Sequence, residues 1–366
     1  MQKIKKFYNN YRNLFAFVGS IIFLYLFMFS IQLMGTSLKF LGEEFSKSLI
    51  ATTSNPFVGL FIGILATSII QSSSSITSIV VGMVGVGALT IDTAIPVIMG
   101  ANIGTAITNT IASLPQINRV NEFKRAFSAA TVHDLFNLLS VAILFPLQFL
   151  TNFLGKIATV LERWFSNIGG LKLLSPVNEI TRPAVEILSE PLKNMPWIFF
   201  IIALILLFIS IKFMVSSIKV IIVLRARDWF DRYLFKTAFR AFTIGLVLTV
   251  VVQSSSMTTS LIVPMAGAGL LSLEQIFLFT LGANIGTTLT AILAALLTGS
   301  SAAVIVAFSH LVFNILGITI WWPLKNLPIQ IARKFSEYAK RNKIIPVVYV
   351  LSLFFILPLI LILIFN

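Results

Sequence analysis

The sequence predicts an all-α polytopic membrane protein with two inverted-topology repeats, each with a re-entrant helical hairpin, and one extra C-terminal helix. Three observations predict this fold class: a very apolar composition, polar motifs that recur in the same order, and apolar arms around two of those motifs that are too short to span a bilayer. Of the 366 residues, 57% are hydrophobic and 11% are charged. Soluble domains carry about 25% charged residues, so the bilayer is the expected solvent.

Composition also excludes several classes of protein. The chain has no cysteine, which excludes disulfide scaffolds and thiolate metal sites. Its net charge of +14 could indicate a nucleic-acid partner. The basic residues cluster in loops beside apolar runs, however, where they orient a membrane protein, so we expect no nucleic acid. The first apolar run, Leu14–Met34, is longer than a signal-peptide core and lacks a small-residue cleavage site, and we interpret it as a retained span.

Three polar motifs recur in the same order in the two halves of the chain. The stretch "QSSSS" at Gln71–Ser75 returns as "QSSS" at Gln253–Ser256. The stretch "GANIGTAIT" at Gly100–Thr108 returns as "GANIGTTLT" at Gly282–Thr290, with seven of nine positions identical. A "HDLFN" motif follows the first copy, and "HLVFN" follows the second. This order indicates a duplicated membrane module.

The duplication predicts how the chain is divided. Repeat one (residues 1–150) contains the first span, a hairpin over 57–89, a broken span over 93–114 and a span over 126–148. Repeat two (residues 197–322) contains a span at Trp197–Leu224, a hairpin over 241–271, a broken span over 275–298 and a span over 302–322. Residues 151–196 form an extracytoplasmic connector, and residues 323–366 form a basic cytoplasmic loop and a terminal hydrophobic helix.

The segments around the glutamine–serine motifs do not have the length of simple spans. Phe57–Ile70 and Ile76–Leu89 are apolar arms of 14 residues each. As helices they would be about 21 Å long, which is shorter than the roughly 30 Å of hydrocarbon in a bilayer. Two such arms joined by "QSSSS" predict a hairpin whose polar tip lies near the midplane. Backbone outside a helix is tolerated there only when protein covers it or it lines an aqueous cavity.

The charges of the loops predict the orientation. Basic loops belong on the cytoplasmic side. If the N-terminus is cytoplasmic and each hairpin makes no net crossing, the basic segments at the N-terminus, 113–125, 225–240 and 323–344 all fall inside. The same count makes hairpin one enter from outside and hairpin two from inside. The predicted location is the inner (plasma) membrane, with several crossings.

The chemistry of the tips favours small ions. The second arm of each hairpin begins with free N–H groups and partial positive charge, which suit an anion. The first arm ends with free carbonyls which, together with glutamine, serine and threonine oxygens, suit a small hard cation. Asp92, Asp134 and Glu274 are the only acids outside the loops. A bound anion would have no arginine clamp, so a cation bound beside it would improve its site, and each ion would favour the other.

Several other features have simple structural interpretations. The GxxxG motifs within the two GANIGT segments could serve only helix packing. Asp92 and Glu274 follow "LT" and "LS", which favours helix caps over sodium ligands. The His-x-x-x-Asn pairs predict interhelical hydrogen bonds. Proton coupling through His133 and Asp134 is an alternative, but repeat two has no matching acid.

The repeated Gln-Ser-Ser-Ser tips, "GANIGTAITNTIASL" and "FKRAFSAATVHDLFNLLS" resemble the type II sodium/phosphate cotransporter family over most of residues 55–150 and 240–320. The resemblance implies import of inorganic phosphate coupled to sodium by alternating access. It implies a substrate and sodium region, with individual sodium ligands unassigned, at these residues: Gln71, Ser72, Ser73, Ser74, Ser75, Thr77, Asn102, Thr105, Gln253, Ser254, Ser255, Ser256, Thr258, Asn284 and Thr287.

Rival functions remain at this point. A transporter of another oxyanion or of a phosphorylated headgroup would use the same architecture. An intramembrane hydrolase with a serine nucleophile is disfavoured because the chain has no GxSxG elbow, and a channel because the site has no charged rings. We therefore expect no catalytic residues, no enzyme activity and no cofactor beyond sodium as coupling ion. The expected partners are phosphate, sodium and the lipid bilayer, with a homodimer as an open alternative.

Overall fold

A computed structural model describes residues 2–170, 175–213 and 237–365, and all of the elements in these ranges are helical. Seven helices in the described part of the chain are long and apolar enough to cross a membrane. They are Leu14–Gly42, Ile91–Gln116, Val120–Thr151, Pro196–Phe213, Leu273–Thr298, Ser301–Trp321 and Ile344–Phe365. An all-helical protein with several membrane crossings is therefore confirmed. Residues 214–236 lie outside the described residues. They include the end of the predicted span Trp197–Leu224 and most of the basic segment 225–240.

The helices are numbered in chain order. In the first half they are α1 (Gln2–Thr52), α2 (Pro56–Ile70), α3 (Ser73–Gly85), α4 (Ile91–Thr105), α5 (Ile107–Ser113), α6 (Val120–Thr151), α7 (Phe153–Asn167) and α8 (Ser175–Leu192). In the second half they are α9 (Pro196–Phe213), α10 (Ala238–Val252), α11 (Ser255–Gly267), α12 (Leu273–Thr298), α13 (Ser301–Trp321), α14 (Asn326–Ala339), α15 (Ile344–Leu351) and α16 (Leu357–Phe365).

The four helices around the glutamine–serine motifs are short. α2 and α10 have 15 residues each, and α3 and α11 have 13. At 1.5 Å per residue they are about 20–23 Å long, below the thickness of a typical hydrocarbon core. Asn55 caps the start of α2 by accepting a hydrogen bond from the Phe57 N–H, and the chain turns by 96° between the end of α1 and α2.

Glycines allow the first arm of each motif to pack very closely on the helix that carries GANIGT. A Cβ on Gly63 of α2 would overlap the Val97 carbonyl of α4, and one on Gly100 would overlap the Leu60 carbonyl. The second half repeats this contact, because a Cβ on Gly245 of α10 would overlap the Phe279 carbonyl of α12. Gly100 and Gly282 of the two GxxxG motifs therefore serve close helix packing.

The two GANIGT helices differ in continuity. In the first half, α4 ends at Thr105 and α5 starts after Ala106, so the predicted interruption of the span over 93–114 is present. The interruption predicted for 275–298 is wrong, because α12 runs unbroken from Leu273 to Thr298. The difference has a local reason. The first half places Asn109 and Thr110 just after the break, where they bond to α6, whereas the second half continues with buried alanines, which favour helix.

Both GANIGT helices begin with a reciprocal cap. Thr90 and Thr93 form a capping box at the start of α4, and Ser272 and Gln275 form one at the start of α12. Asp92 and Glu274 lie in the first turns, where a carboxylate complements the partial charge of the helix end. The prediction that "LT" and "LS" contain the helix N-caps and that the acid lies in the first turn is confirmed.

An amphipathic helix, α14, is held against α6 by polar contacts. The Ser128 and Ser336 hydroxyl oxygens lie 2.6 Å apart. Glu337 forms ion pairs with Lys124 of α6 and with Lys340. Hydrogen bonds from these two lysines lower the pKa of the Glu337 carboxyl to about 2. Glu337 is therefore ionised at neutral pH, and α14 keeps its position on α6.

We expect Gly63→Ala to destabilise the protein while Gly59→Ala, one helical turn earlier, does not. The methyl added at position 63 would collide with backbone, and overpacking of this kind costs about 1–3 kcal/mol. At Gly59 the added carbon meets the Pro96 Cβ at 3.4 Å and the Thr93 carbonyl oxygen at 3.5 Å. Ordinary contact there leaves the gain in helix propensity of roughly 1 kcal/mol. Thermal unfolding in detergent compares the two variants, and equal melting temperatures would contradict the close packing.

Candidate functional site

The two glutamine–serine motifs have the same backbone geometry. We call Gln71–Ser75 tip 1 and Gln253–Ser256 tip 2. Helix α2 ends at Gln71 with φ 57°, and α10 ends at Gln253 with φ 55°. Each glutamine N–H donates to a threonine carbonyl, Thr67 or Thr249, at 2.7 Å. Left-handed backbone is uncommon for residues other than glycine, and among the described residues only Asn152 shares it with these two glutamines.

Each tip starts the next helix with a serine cap. Ser72 accepts a hydrogen bond from the Ser75 N–H, and Ser254 accepts one from the Met257 N–H, both at 3.3 Å. Both serines have extended backbone. Each tip therefore brings the carbonyl end of one helix and the N–H end of the next into one place. The former favours cations and the latter favours anions.

The tips lie against each other. The Ser74 hydroxyl of tip 1 donates to the Gln253 carbonyl of tip 2 at 3.2 Å. Ser74 and Gln253 are buried, whereas Gln71 is exposed. Two motifs that are 179 residues apart in the chain therefore meet in the tertiary structure.

Gln253 is fixed by a residue that the sequence analysis did not select. Its side-chain oxygen Oε1 accepts a hydrogen bond from Thr290 at 2.7 Å, and its Nε2 donates to the Val250 carbonyl at 2.6 Å. Thr290 is the last residue of the repeated "GANIGTTLT" stretch, so its identity in both copies was a usable signal. Its counterpart Thr108 has a buried hydroxyl with no partner among the described residues.

Two further threonines add unused oxygens beside the tips. Thr67 and Thr249 are completely buried, and neither hydroxyl has a hydrogen-bond partner among the described residues. Each lies one turn before its tip glutamine and contacts a glycine of the neighbouring GANIGT helix, Gly104 or Gly286. Buried polar groups are normally paired. The same unpaired hydroxyl therefore occurs one turn before the tip in both halves.

The four predicted threonines beside the tips and in the GANIGT segments are buried and donate to carbonyls of their own helices. The bonds are Thr77 to Ser73 (2.9 Å), Thr105 to Ala101 (2.9 Å), Thr258 to Ser254 (2.8 Å) and Thr287 to Ala283 (3.0 Å). A hydroxyl oxygen that donates its proton in this way keeps lone pairs for a cation.

A chain of hydrogen bonds crosses the core from tip 2 towards the first half. The Thr259 hydroxyl donates to Asn109 Oδ1 at 2.8 Å, and Asn109 Nδ2 lies 2.9 Å from His133 Nδ1. His133 Nε2 lies 2.8 Å from Asn284 Oδ1, and Asn284 Nδ2 donates to Asn137 Oδ1 at 2.8 Å. Since an amide NH₂ can only donate, His133 Nδ1 accepts and its proton resides on Nε2.

The second histidine makes the crossed counterpart of this contact. His310 Nε2 lies 3.4 Å from Asn102 Oδ1, and Asn314 Nδ2 donates to the same oxygen at 3.4 Å. His133 thus reaches the GANIGT asparagine of the second half, and His310 reaches that of the first. Interhelical hydrogen bonding by the His-x-x-x-Asn pairs is confirmed. Asn102 and Asn284 are held by this network through the histidines, and among the described residues neither bonds to a tip serine.

Asp134 faces away from this chain. Its Oδ2 accepts hydrogen bonds from the Thr110 hydroxyl at 3.0 Å and from the Tyr349 hydroxyl of α15 at 2.9 Å. The acid adjoins His133 in sequence but bonds to the C-terminal helices instead. The terminal hydrophobic segment, which has no counterpart in the first half, is thereby tied to α6.

Comparison with known proteins identifies relatives of most of the chain. The family model described as Na+/Pi-cotransporter matches residues 26–169 and 206–326. Sodium-dependent phosphate transport protein 2A of Ovis aries is 33% identical over 418 residues, covering 92% of this chain and 65% of the relative. Protein 2B of Homo sapiens is 31% identical, covering 98% of this chain and 66% of the relative. The chain thus spans just under two thirds of these relatives. No solved structure matches it.

We expect cysteines placed at Ser74 and Gln253 to be joined by a short bifunctional thiol reagent. The Ser74 hydroxyl and the Gln253 carbonyl are in hydrogen-bond contact, and the natural chain has no cysteine to interfere. The pair Ser74→Cys with Ser189→Cys on the connector helix α8 serves as control and should not react. A shift in electrophoretic mobility after cleavage between the halves reports the link. Equal linkage in both pairs, or none in the first, would contradict tip contact.

Proposed function

Because this chain belongs to the Na+/Pi-cotransporter family, we propose that it imports inorganic phosphate together with sodium ions. The observation that carries the proposal is the contact of the two tips through Ser74 and Gln253. This contact brings together the N-termini of α3 and α11, the C-termini of α2 and α10, and a set of neutral oxygens. Both relatives described above are named as sodium-dependent phosphate transport proteins.

The proposed division of labour follows from the chemistry of each group. The serine-capped starts of α3 and α11 present N–H groups to the phosphate oxygens. The carbonyl ends of α2 and α10, with the tip glutamines and the hydroxyls of Thr67 and Thr249, coordinate sodium. Sodium is a hard cation that favours oxygen ligands, and its charge offsets that of the phosphate. Binding of one ion then strengthens binding of the other by a coupling free energy.

We further propose that α2–α3 and α10–α11 are re-entrant hairpins in two repeats of inverted topology. Their short helices, the matching left-handed glutamines and the matching glycine contacts support this assignment. The loop charges favour a cytoplasmic N-terminus, with hairpin one entering the membrane from outside and hairpin two entering from inside. Transport then proceeds by alternating access in the cell membrane, as elevator travel or as rocking.

The hydrolase alternative receives no support from the histidines. A serine nucleophile needs a base within hydrogen-bond distance. Both ring nitrogens of His133 are engaged by asparagine side chains. His310 bonds to Asn102, and neither histidine bonds to a tip serine among the described residues. Another oxyanion remains the rival substrate, and competition against labelled phosphate separates the two.

We expect Gln71→Ala and Gln253→Ala to reduce sodium-driven phosphate uptake in liposomes by roughly two- to tenfold. Each change removes a neutral oxygen ligand and, at Gln253, the bond to Thr290, and one such hydrogen bond contributes about 0.5–1.5 kcal/mol. Gln148→Ala is the control, because Gln148 is buried like Gln253 and, in the described part of the chain, its side chain bonds to Asn152 and Leu154 and not to a tip. Parallel gradients of sodium, lithium, potassium and protons identify the coupling ion. Wild-type kinetics in both tip variants would refute their role, and uptake without any sodium dependence would refute the proposed coupling.

We expect a disulfide between Gly35→Cys and Val86→Cys to stop transport reversibly. A Cβ on Gly35 would lie 2.8 Å from Val86 Cγ1, so the two Cβ atoms would be at most about 4.3 Å apart, below the roughly 4.5 Å upper limit for a disulfide. The bond ties α1 to the end of the first hairpin, which must move past it in alternating access. Uptake should return on addition of reductant, and either single variant controls for the substitutions. Undiminished uptake in a fully linked sample would exclude relative motion at this contact.

A further inference from the structure

We propose that a cavity between α6, α14 and the end of α11 binds the headgroup of an anionic phospholipid. We call it the basic cavity. Its volume is about 520 Å³, and it is lined by Lys124, Arg125, Ser128, Ala266, Leu271, Ser272, Leu273, Ile276, Arg333, Lys334 and Glu337. Its assignment to the cytoplasmic leaflet depends on the proposed topology. The binding itself does not depend on the transported substrate.

The charges of the lining favour an anion. Four cationic side chains face one carboxylate, and that carboxylate is already paired with Lys124 and Lys340. Arg333 and Lys334 are exposed, and neither side chain forms a hydrogen bond or ion pair with another described residue. Two uncompensated cations beside a cavity of this size match a phosphodiester group with its glycerol backbone.

The position of α14 favours a lipid over a free anion. Leu327, Ile331 and Tyr338 are spaced by four and seven residues, so they lie on one face of the helix, and all three are exposed. The opposite face, with Ile329 and Ala332, is buried against the protein. A helix with an exposed apolar stripe and adjoining basic residues lies in the interface between headgroups and acyl chains. The basic cavity therefore opens at headgroup level.

The apolar part of the lining completes the match. Leu271, Leu273 and Ile276 come from the turn after α11 and the start of α12. They would contact the upper part of an acyl chain, which inorganic phosphate lacks. The cationic side chains would hold the headgroup, and these apolar residues would contact the acyl chain. Basic pockets between membrane helices bind acidic lipids in this way.

The basic cavity also touches the proposed second hairpin. Arg125 Nε donates to the carbonyl of Gly267, the last residue of α11, at 2.8 Å. The remaining guanidinium N–H groups are left for an anion. A bound headgroup would hold Arg125, and through it the cytoplasmic end of α11, in one position. We therefore expect the lipid to influence both the stability of the protein and its transport rate.

The test compares the purified full chain in phosphatidylcholine vesicles with and without phosphatidylglycerol. Native mass spectrometry should show phosphatidylglycerol retained on the wild-type protein, and melting temperature and uptake should rise with this lipid. The variant Arg333→Gln/Lys334→Gln should bind it at least about tenfold more weakly, since each basic residue near an anionic surface contributes a several-fold factor. Both side chains are exposed, so the variant should fold.

The matched control is Arg341→Gln/Lys343→Gln. It removes the same charge close by, outside the basic cavity, and also breaks the bond from Lys343 to Asn118. It should keep wild-type binding of phosphatidylglycerol. Equal losses in both variants would reduce the effect to general surface charge and overturn the proposal. Phosphate bound at the proposed transport site should stabilise the wild type and Arg333→Gln/Lys334→Gln equally. Stabilisation by inorganic phosphate in pure phosphatidylcholine that is lost in this variant would overturn the proposal in favour of a free-anion site in the basic cavity. Absence of bound phosphatidylglycerol in the wild type would also overturn it.

Discussion

The contact between tip 1 and tip 2 is the constraint on which the rest of the structure depends. Two helices end and two begin at this junction, and each leaves backbone groups that an apolar core cannot satisfy. The left-handed glutamines end α2 and α10 by donating to the carbonyls of Thr67 and Thr249. The serine caps Ser72 and Ser254 begin α3 and α11. Ser74 then joins the two breaks. The helix break at tip 1 is thus stabilised by its contact with the helix break at tip 2.

The surrounding helices hold this junction by crossed contacts. Glycines bring α2 onto α4 and α10 onto α12 without intervening side chains, which makes each first arm and its GANIGT helix a rigid pair. The histidines then connect each half to the asparagine of the other. In the proposed transport cycle, the tips and the histidine–asparagine contacts supply polar groups without formal charge. Movement of an ion pair such as sodium and phosphate is favoured in such a core, because the site itself adds no charge that must move with them.

The periphery differs in chemistry from this core. Formal charges gather at α14 and its contacts with α6, where Glu337 forms ion pairs with two lysines. The basic cavity lies between this charged border and the end of α11. A lipid bound there would act on the proposed hairpin from its base, at a distance from the tips.

The sequence alone determined the features that depend on neighbouring residues. Hydropathy predicted the helices, motif order predicted the correspondence of the halves, and "LT" and "LS" predicted the caps, because capping and amphipathicity are local properties. The tertiary structure decided which oxygen accepts the hydrogen bond of each buried donor. The hydrogen bond between Thr290 and Gln253 and the chain of bonds from Thr259 to Asn137 join residues on different helices. Almost every buried donor is hydrogen-bonded. Sequence spacing does not determine which acceptor lies within about 3 Å of it, because that acceptor can be on a distant helix.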